Sequence, residues 1–118
     1  MKFLVADDHA VFRVGLVYLL QKLDPEASIS EASDYAEALI IAGREADLDL
    51  ILVDLLMPGI DGFNGLSSLM EKAHSAPIMV VSARENPADV QASLGHGAMG
   101  YLPKSSSSDV MMSAIRLV

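Results

Sequence analysis

The chain has 118 residues, enough for one domain of ordinary size and too few for two, and such a length buries a sizeable core without disulfides or a structural metal. Cysteine is absent, which excludes a disulfide scaffold, a thiolate zinc site and a cysteine nucleophile. A formal net charge of −8 makes bare nucleic acid a poor partner for this segment, since phosphate contacts need a surplus of Lys and Arg.

The first run, Phe3-Leu4-Val5-Ala6, reads as a buried strand, and the acids that follow break it too early for a signal peptide. Ala10 to Leu23 follows as a helix, then Ser28 to Ala32 as a weaker strand. Ser33 or Asp34 caps a helix running to about Ala46, and Asp34 with Glu37 is a capping-box variant. Leu50-Ile51-Leu52-Val53 has no polar residue and is the clearest strand; Phe63, Leu66, Leu69, Met70 and Ala73 then give a helical stripe. Pro58 fixes φ and Gly62 permits a tight turn before that helix, with Asp61 as a turn or cap residue. Ile78-Met79-Val80-Val81 is another buried strand, followed by Asn86-Pro87, a helix cap with proline at the first helical position. Gly100-Tyr101-Leu102 makes a fifth strand. Ser105 to Ser108 caps a last amphipathic helix marked by Val110, Met111, Ala114, Ile115 and Val118. No apolar run approaches the ~20 residues of a membrane span, so the expectation is a soluble, cytoplasmic domain without a membrane partner.

Strands apolar on both faces, each followed by a helix, imply a parallel sheet covered on both sides. Five such units predict an α/β, flavodoxin-like, doubly wound (βα)5 sheet of strand order 2-1-3-4-5, with ligands bound beyond the carboxyl ends of the strands. Unusual residues stand there: Asp7 and Asp8 after the first strand, Asp54 after the third, Ser82 at the end of the fourth and Lys104 after the fifth. Each acid alone is as easily a helix cap. Together they put three carboxylates in one small volume, where two like charges ~4 Å apart cost about 4 kcal/mol at an effective dielectric of ~20. Lys104, protonation or a bound cation would relieve that cost. Few oxygen ligands with room for water suit Mg²⁺.

Four motifs in order, Val5-Ala6-Asp7-Asp8-His9, Asp54-Leu55-Leu56-Met57-Pro58-Gly59-Ile60-Asp61-Gly62, Val80-Val81-Ser82-Ala83 and Gly100-Tyr101-Leu102-Pro103-Lys104, resemble the receiver domain of bacterial two-component response regulators from Lys2 to Val118. The resemblance implies that Asp54 accepts a phosphoryl group from a phosphohistidine on a sensor histidine kinase. It also implies that Mg²⁺ is bound by Asp8 and Asp54, by Asp7 through water and by the backbone carbonyl of Leu56. Lys104, the Ser82 hydroxyl and the backbone N–H of Ala83 are then the phosphoryl-binding groups, and Ser82 and Tyr101 the switch. Such a domain is no enzyme beyond its own phosphotransfer and dephosphorylation. Leu56 and Arg84, flanking the site, are expected to influence phosphoryl lifetime. One departure from the family concerns Lys104, which is preceded by Pro103 and followed by Ser105, so a cis lysine–proline bond is not carried over.

The stretch Asp7 to Leu16 resembles the start of the NarL/FixJ (LuxR-type) subfamily, whose receivers precede a DNA-binding helix-turn-helix. No such helix lies within these residues, so the chain reads as one receiver domain, 1–118, of a longer transcriptional regulator, with DNA reached only through that further domain. A stand-alone receiver in a phosphorelay is the alternative. In the first helix, Phe12, Leu16, Leu19 and Leu23 form one stripe, whereas Val11, Val14, Val17 and Tyr18 lie on the side that should be polar. A homodimer or output-domain contact is expected there, with Ile115 beside it; a surface from the fourth helix through the fifth strand is the rival. His9 is a loop residue near the acids with no metal role assigned. Among other classes, an aspartyl-phosphate hydrolase needs a second acid where Leu56 stands, and an electron carrier of this fold needs a Ser/Thr/Gly-rich phosphate cradle that the loop after the first strand lacks. A pseudo-receiver acting as a binding module should have lost one of the acids or the lysine.

Overall fold

The strongest apolar runs become the inner strands, as segments with no polar residue to turn toward water must. In the computed structural model, which describes residues 1–59, 62–83 and 86–117 and not the side chains of Gly62 and Phe63, five strands form one parallel sheet. They are β1 (Lys2–Ala6), β2 (Ser28–Ala32), β3 (Leu50–Val53), β4 (Ile78–Ser82) and β5 (Gly100–Pro103), in the expected order β2-β1-β3-β4-β5. They alternate with α1 (Ala10–Leu23), α2 (Tyr35–Arg44), α3 (Gly62–Lys72), α4 (Pro87–Gly95) and α5 (Ser108–Arg116).

The two-residue period of the strands splits the core into two layers. Phe3, Val5, Leu50, Leu52, Met79, Val81 and Leu102 pack with Leu16 and Leu20 of α1 and Met111 and Ile115 of α5. Leu4, Ala6, Ile51, Val53, Ile78 and Val80 pack on the other face with Ala38 and Ile41 of α2 and Leu66 and Leu69 of α3. Helix starts follow the expected chemistry: the side chains of Asp34, Asn86 and Ser107 accept from the backbone N–H groups of Glu37, Ala88 and Val110.

Several expectations are corrected. The buried residues of α1 are Leu16 and Leu20, and Val17 packs at the margin of the core rather than on the outer side. The four-residue step from Leu16 to Leu20 aims the helix at the sheet and carries Val17 with it. Ile115 is 3 % exposed, four residues after Met111 on the face that meets the sheet, so it is a core residue and not part of an exposed contact surface. Val110 points outward instead of joining that stripe. Helix α2 ends at Arg44, short of Ala46. Gly62 begins α3, and the left-handed turn after β3 falls on Gly59, at φ 85°, a conformation glycine adopts without steric cost. Among the described residues no peptide bond is cis, Lys104–Ser105 included. The roles expected of Asp61, the Phe63 side chain, Arg84 and Val118 lie outside the described residues.

A candidate phosphoacceptor site at the strand ends

The site extends the alternation of the strands by one step. Phe3 and Val5 face α1 and α5, and Asp7 is the next residue of that parity; Leu50 and Leu52 lead in the same way to Asp54, and Leu102 to Lys104. Backbone pairing continues through all three: Asp7 N–H donates to the Ala32 carbonyl at 2.9 Å, Asp54 N–H to Ala6 at 2.9 Å and Lys104 N–H to Ser82 at 2.8 Å. The three polar side chains are thereby delivered to one point above the apolar layer.

Asp7 is 2 % exposed and Asp54 1 %. Burying two carboxylates requires a counter-charge, and Lys104 supplies it: Nζ donates to Asp7 Oδ2 and to Asp54 Oδ2, each at 2.8 Å. The remaining oxygens are held by backbone amides, Asp7 Oδ1 by His9 N–H at 2.8 Å and Asp54 Oδ1 by Leu56 N–H at 2.9 Å. Burial by itself pulls the Lys104 pKa down, but the hydrogen bonds and charges of Asp54 and Asp7 outweigh it and hold the ammonium above its ordinary value. Asp8 stands exposed at the mouth. One ligand atom from each of Asp7, Asp8, His9 and Asp54 lies within 4.8 Å of the others. Three carboxylates clustered at one opening form the oxygen-rich donor set of a hard divalent cation, so the residues fit Mg²⁺.

Ser82 is buried at the end of β4 and Ala83 beyond it is exposed. Tyr101 is half-buried and pairs in register with Val80, which shares the parity of Ser82. The ring packs against the layer under α2 and α3, on the side of the sheet away from Lys104.

Three neighbours had no assigned part in the sequence reading. His9 Nδ1 lies 2.8 Å from Lys104 Nζ. The Phe12 ring centroid lies 4.8 Å from the same ammonium, within cation–π range. Arg13 bonds the Asp7 main-chain carbonyl and pairs with Glu31 of β2 at 3.0 Å, anchoring the loop that carries the acids. Spacing offered a faint hint of Arg13, which lies four residues from His9 and so faces back toward the loop; His9 was expected near the acids, and nothing local marked Phe12 as a neighbour of Lys104.

A 2-1-3-4-5 sheet with buried acids and a lysine at its carboxyl ends defines a class of flavodoxin-like α/β domains. The family model described as response regulator receiver domain matches residues 3–116, and the chain belongs to that family: it is a receiver domain of a two-component response regulator. It is 39 % identical over 114 residues to the nitrate/nitrite response regulator protein NarP of Escherichia coli (strain K12), covering 96 % of this chain and 52 % of that protein. It is 38 % identical over 117 residues to the glycerol metabolism activator of Pseudomonas putida, covering 99 % of this chain and 53 % of that one. NarP belongs with the NarL/FixJ subfamily, and the chain spans about half the length of both relatives. Among solved structures, a Burkholderia pseudomallei response regulator with a phosphorylated aspartic acid, calcium ion and citrate matches with a TM-score of 0.80 at 26 % identity, covering 98 % of this chain and 71 % of that one.

Proposed function

We propose that this receiver is switched by phosphorylation of Asp54, with a sensor histidine kinase as donor. The observation that carries the reading is the buried Asp54 carboxylate held 2.8 Å from the Lys104 ammonium beside two further acids. An Asp54 oxygen attacks the phosphorus of the donor phosphohistidine; the O–P bond forms as the P–N bond breaks, and the imidazole leaves with the electron pair and takes up a proton. Asp7, Asp8, Asp54 and the Leu56 carbonyl would hold Mg²⁺, which supplies positive charge for the phosphoryl oxygens. Lys104 exchanges a carboxylate partner for a phosphoryl oxygen, acting as a point charge. The Ser82 hydroxyl and Ala83 N–H bond the remaining oxygens, and Tyr101, on the Ser82 side of the sheet, follows the movement of that loop. The chemistry is confined to the domain's own phosphotransfer and dephosphorylation, and the signal passes to a homodimer contact and to a DNA-binding output domain of the longer protein.

Incubation with acetyl phosphate and Mg²⁺ is expected to add one labile phosphoryl mass to the wild-type chain and none to Asp54→Asn. A wild type that gains no mass would make the domain a binding module without chemistry.

A further inference from the structure

Tyr35 is the first residue of α2, where a backbone N–H has no partner within its own helix. That N–H donates outward, to the Pro58 carbonyl at 3.1 Å. A side chain at this position leans back over the helix N-terminus. The half-buried Tyr35 ring reaches α3, where its hydroxyl donates to the Gly65 carbonyl at 2.8 Å. The root of the same side chain stands against Gly59: a Cβ added to that glycine would lie 3.5 Å from Tyr35 Cβ. Tyr35 therefore holds the segment after β3 at Pro58, at Gly59 and again at Gly65. The upstream end of that segment is Asp54, whose N–H pairs with the Ala6 carbonyl and whose Oδ1 accepts from Leu56 N–H at 2.9 Å. Leu55, Leu56 and Met57 are strung between β3 and the Tyr35 clamp.

We propose that Tyr35 is a positioning residue for phosphoryl transfer to Asp54, acting through the Leu56 amide. This rests on the reading of Asp54 as the phosphoacceptor. Holding Oδ1 on Leu56 N–H fixes the plane of the carboxylate, and with it the direction of Oδ2, the oxygen that meets Lys104. A reacting atom misplaced by about 1 Å loses on the order of 100-fold in rate, so a loop that drifts by a fraction of that distance lowers the rate measurably. The far end of α2 is tied separately, by His74 Nε2 donating to the Gly43 carbonyl at 3.0 Å. That bond lies outside the segment from Asp54 to Gly65, so the two ties of α2 are separable by substitution.

Phosphorylation of the 118-residue chain by acetyl phosphate with Mg²⁺, followed by mass, and exchange of the Leu56 amide, followed by NMR, test this on wild type, Tyr35→Phe and His74→Asn. Tyr35→Phe removes only the hydroxyl. His74→Asn removes the other tie and keeps a residue that tolerates the left-handed φ of 52° found there. Expected for Tyr35→Phe is a roughly 5-fold fall in maximal phosphorylation rate at an unchanged half-saturating acetyl phosphate concentration. Its Leu56 amide is expected to exchange about 5-fold faster. His74→Asn is expected to match wild type in both measurements. If Tyr35→Phe keeps the wild-type rate, slows without faster Leu56 exchange, or slows no more than His74→Asn does, the positioning role is overturned and Asp54 stands as the acceptor. If wild type itself takes up no phosphoryl group, the acceptor reading is overturned and the positioning role with it.

Discussion

Lys104 is the residue on which the buried acids depend. Removing it leaves Asp7 and Asp54 buried without a counter-charge, and deleting one partner of a buried pair costs on the order of 3–5 kcal/mol. The variant Lys104→Met should therefore unfold at markedly lower urea at neutral pH. Because Lys104 has a folded-state pKa raised above the ordinary lysine value, its contribution is complete below the unfolded value of about 10.4 and is lost as pH rises through the folded one. The gap in urea midpoint between wild type and Lys104→Met should hence be full at pH ~8 and narrow above pH ~10.5; a gap that stays constant would show that the lysine charge is not what stabilises the site. At this scale the acids, Ser82 and Lys104 were legible because each interrupts or ends an apolar run. His9, Phe12 and Arg13 were not, because their roles are contacts with Lys104, Asp7 and Glu31, set by where α1 meets the sheet.

Elements were legible where local chemistry is one-sided. Asp34, Asn86 and Ser107 announce helix starts because their side chains take up backbone donors that the helix leaves unpaired. Asp34→Ala should lower stability by about 1 kcal/mol and the melting temperature by roughly 4 °C, measurable by thermal denaturation; no change would mean that the 2.8 Å bond to the Glu37 amide is replaced by water without loss. The faces of α1 and α5 were read less well. Helix α1 carries apolar residues nearly all round, so periodicity alone left Val17 misassigned, and Ile115, on the apolar stripe of amphipathic α5, was wrongly placed on a contact surface. Their burial is decided by the angle at which each helix packs on β1, β3 and β4, which no short window of sequence contains.

At the scale of the molecule, α1 keeps an apolar surface that the core does not use: Val11 is 89 % exposed, Val14 65 % and Tyr18 57 %. A groove of about 410 Å³ beside it, lined in part by Val11, Phe12, Tyr18, Ser106 and Met111, reaches Lys104. This is the face proposed for self-association, now without Ile115. Apolar patches beyond a scatter of single residues mark contact surfaces, so Val14→Glu should leave the domain folded and shift sedimentation of the phosphorylated form toward the monomer. Unchanged sedimentation would move the contact to the surface running from α4 through β5.

The order of apolar runs, helices and acids was enough to determine a doubly wound parallel sheet and to set Asp7, Asp8, Asp54, Ser82 and Lys104 at its strand ends, because strand-end position is a property of the chain itself. Only the tertiary structure decided that Lys104 bridges Asp7 and Asp54, that His9 Nδ1 meets the Lys104 ammonium, and that Ile115 belongs to the core. Those outcomes depend on distances between segments far apart in sequence, such as the 95 residues separating His9 from Lys104, which are set by packing around the finished sheet.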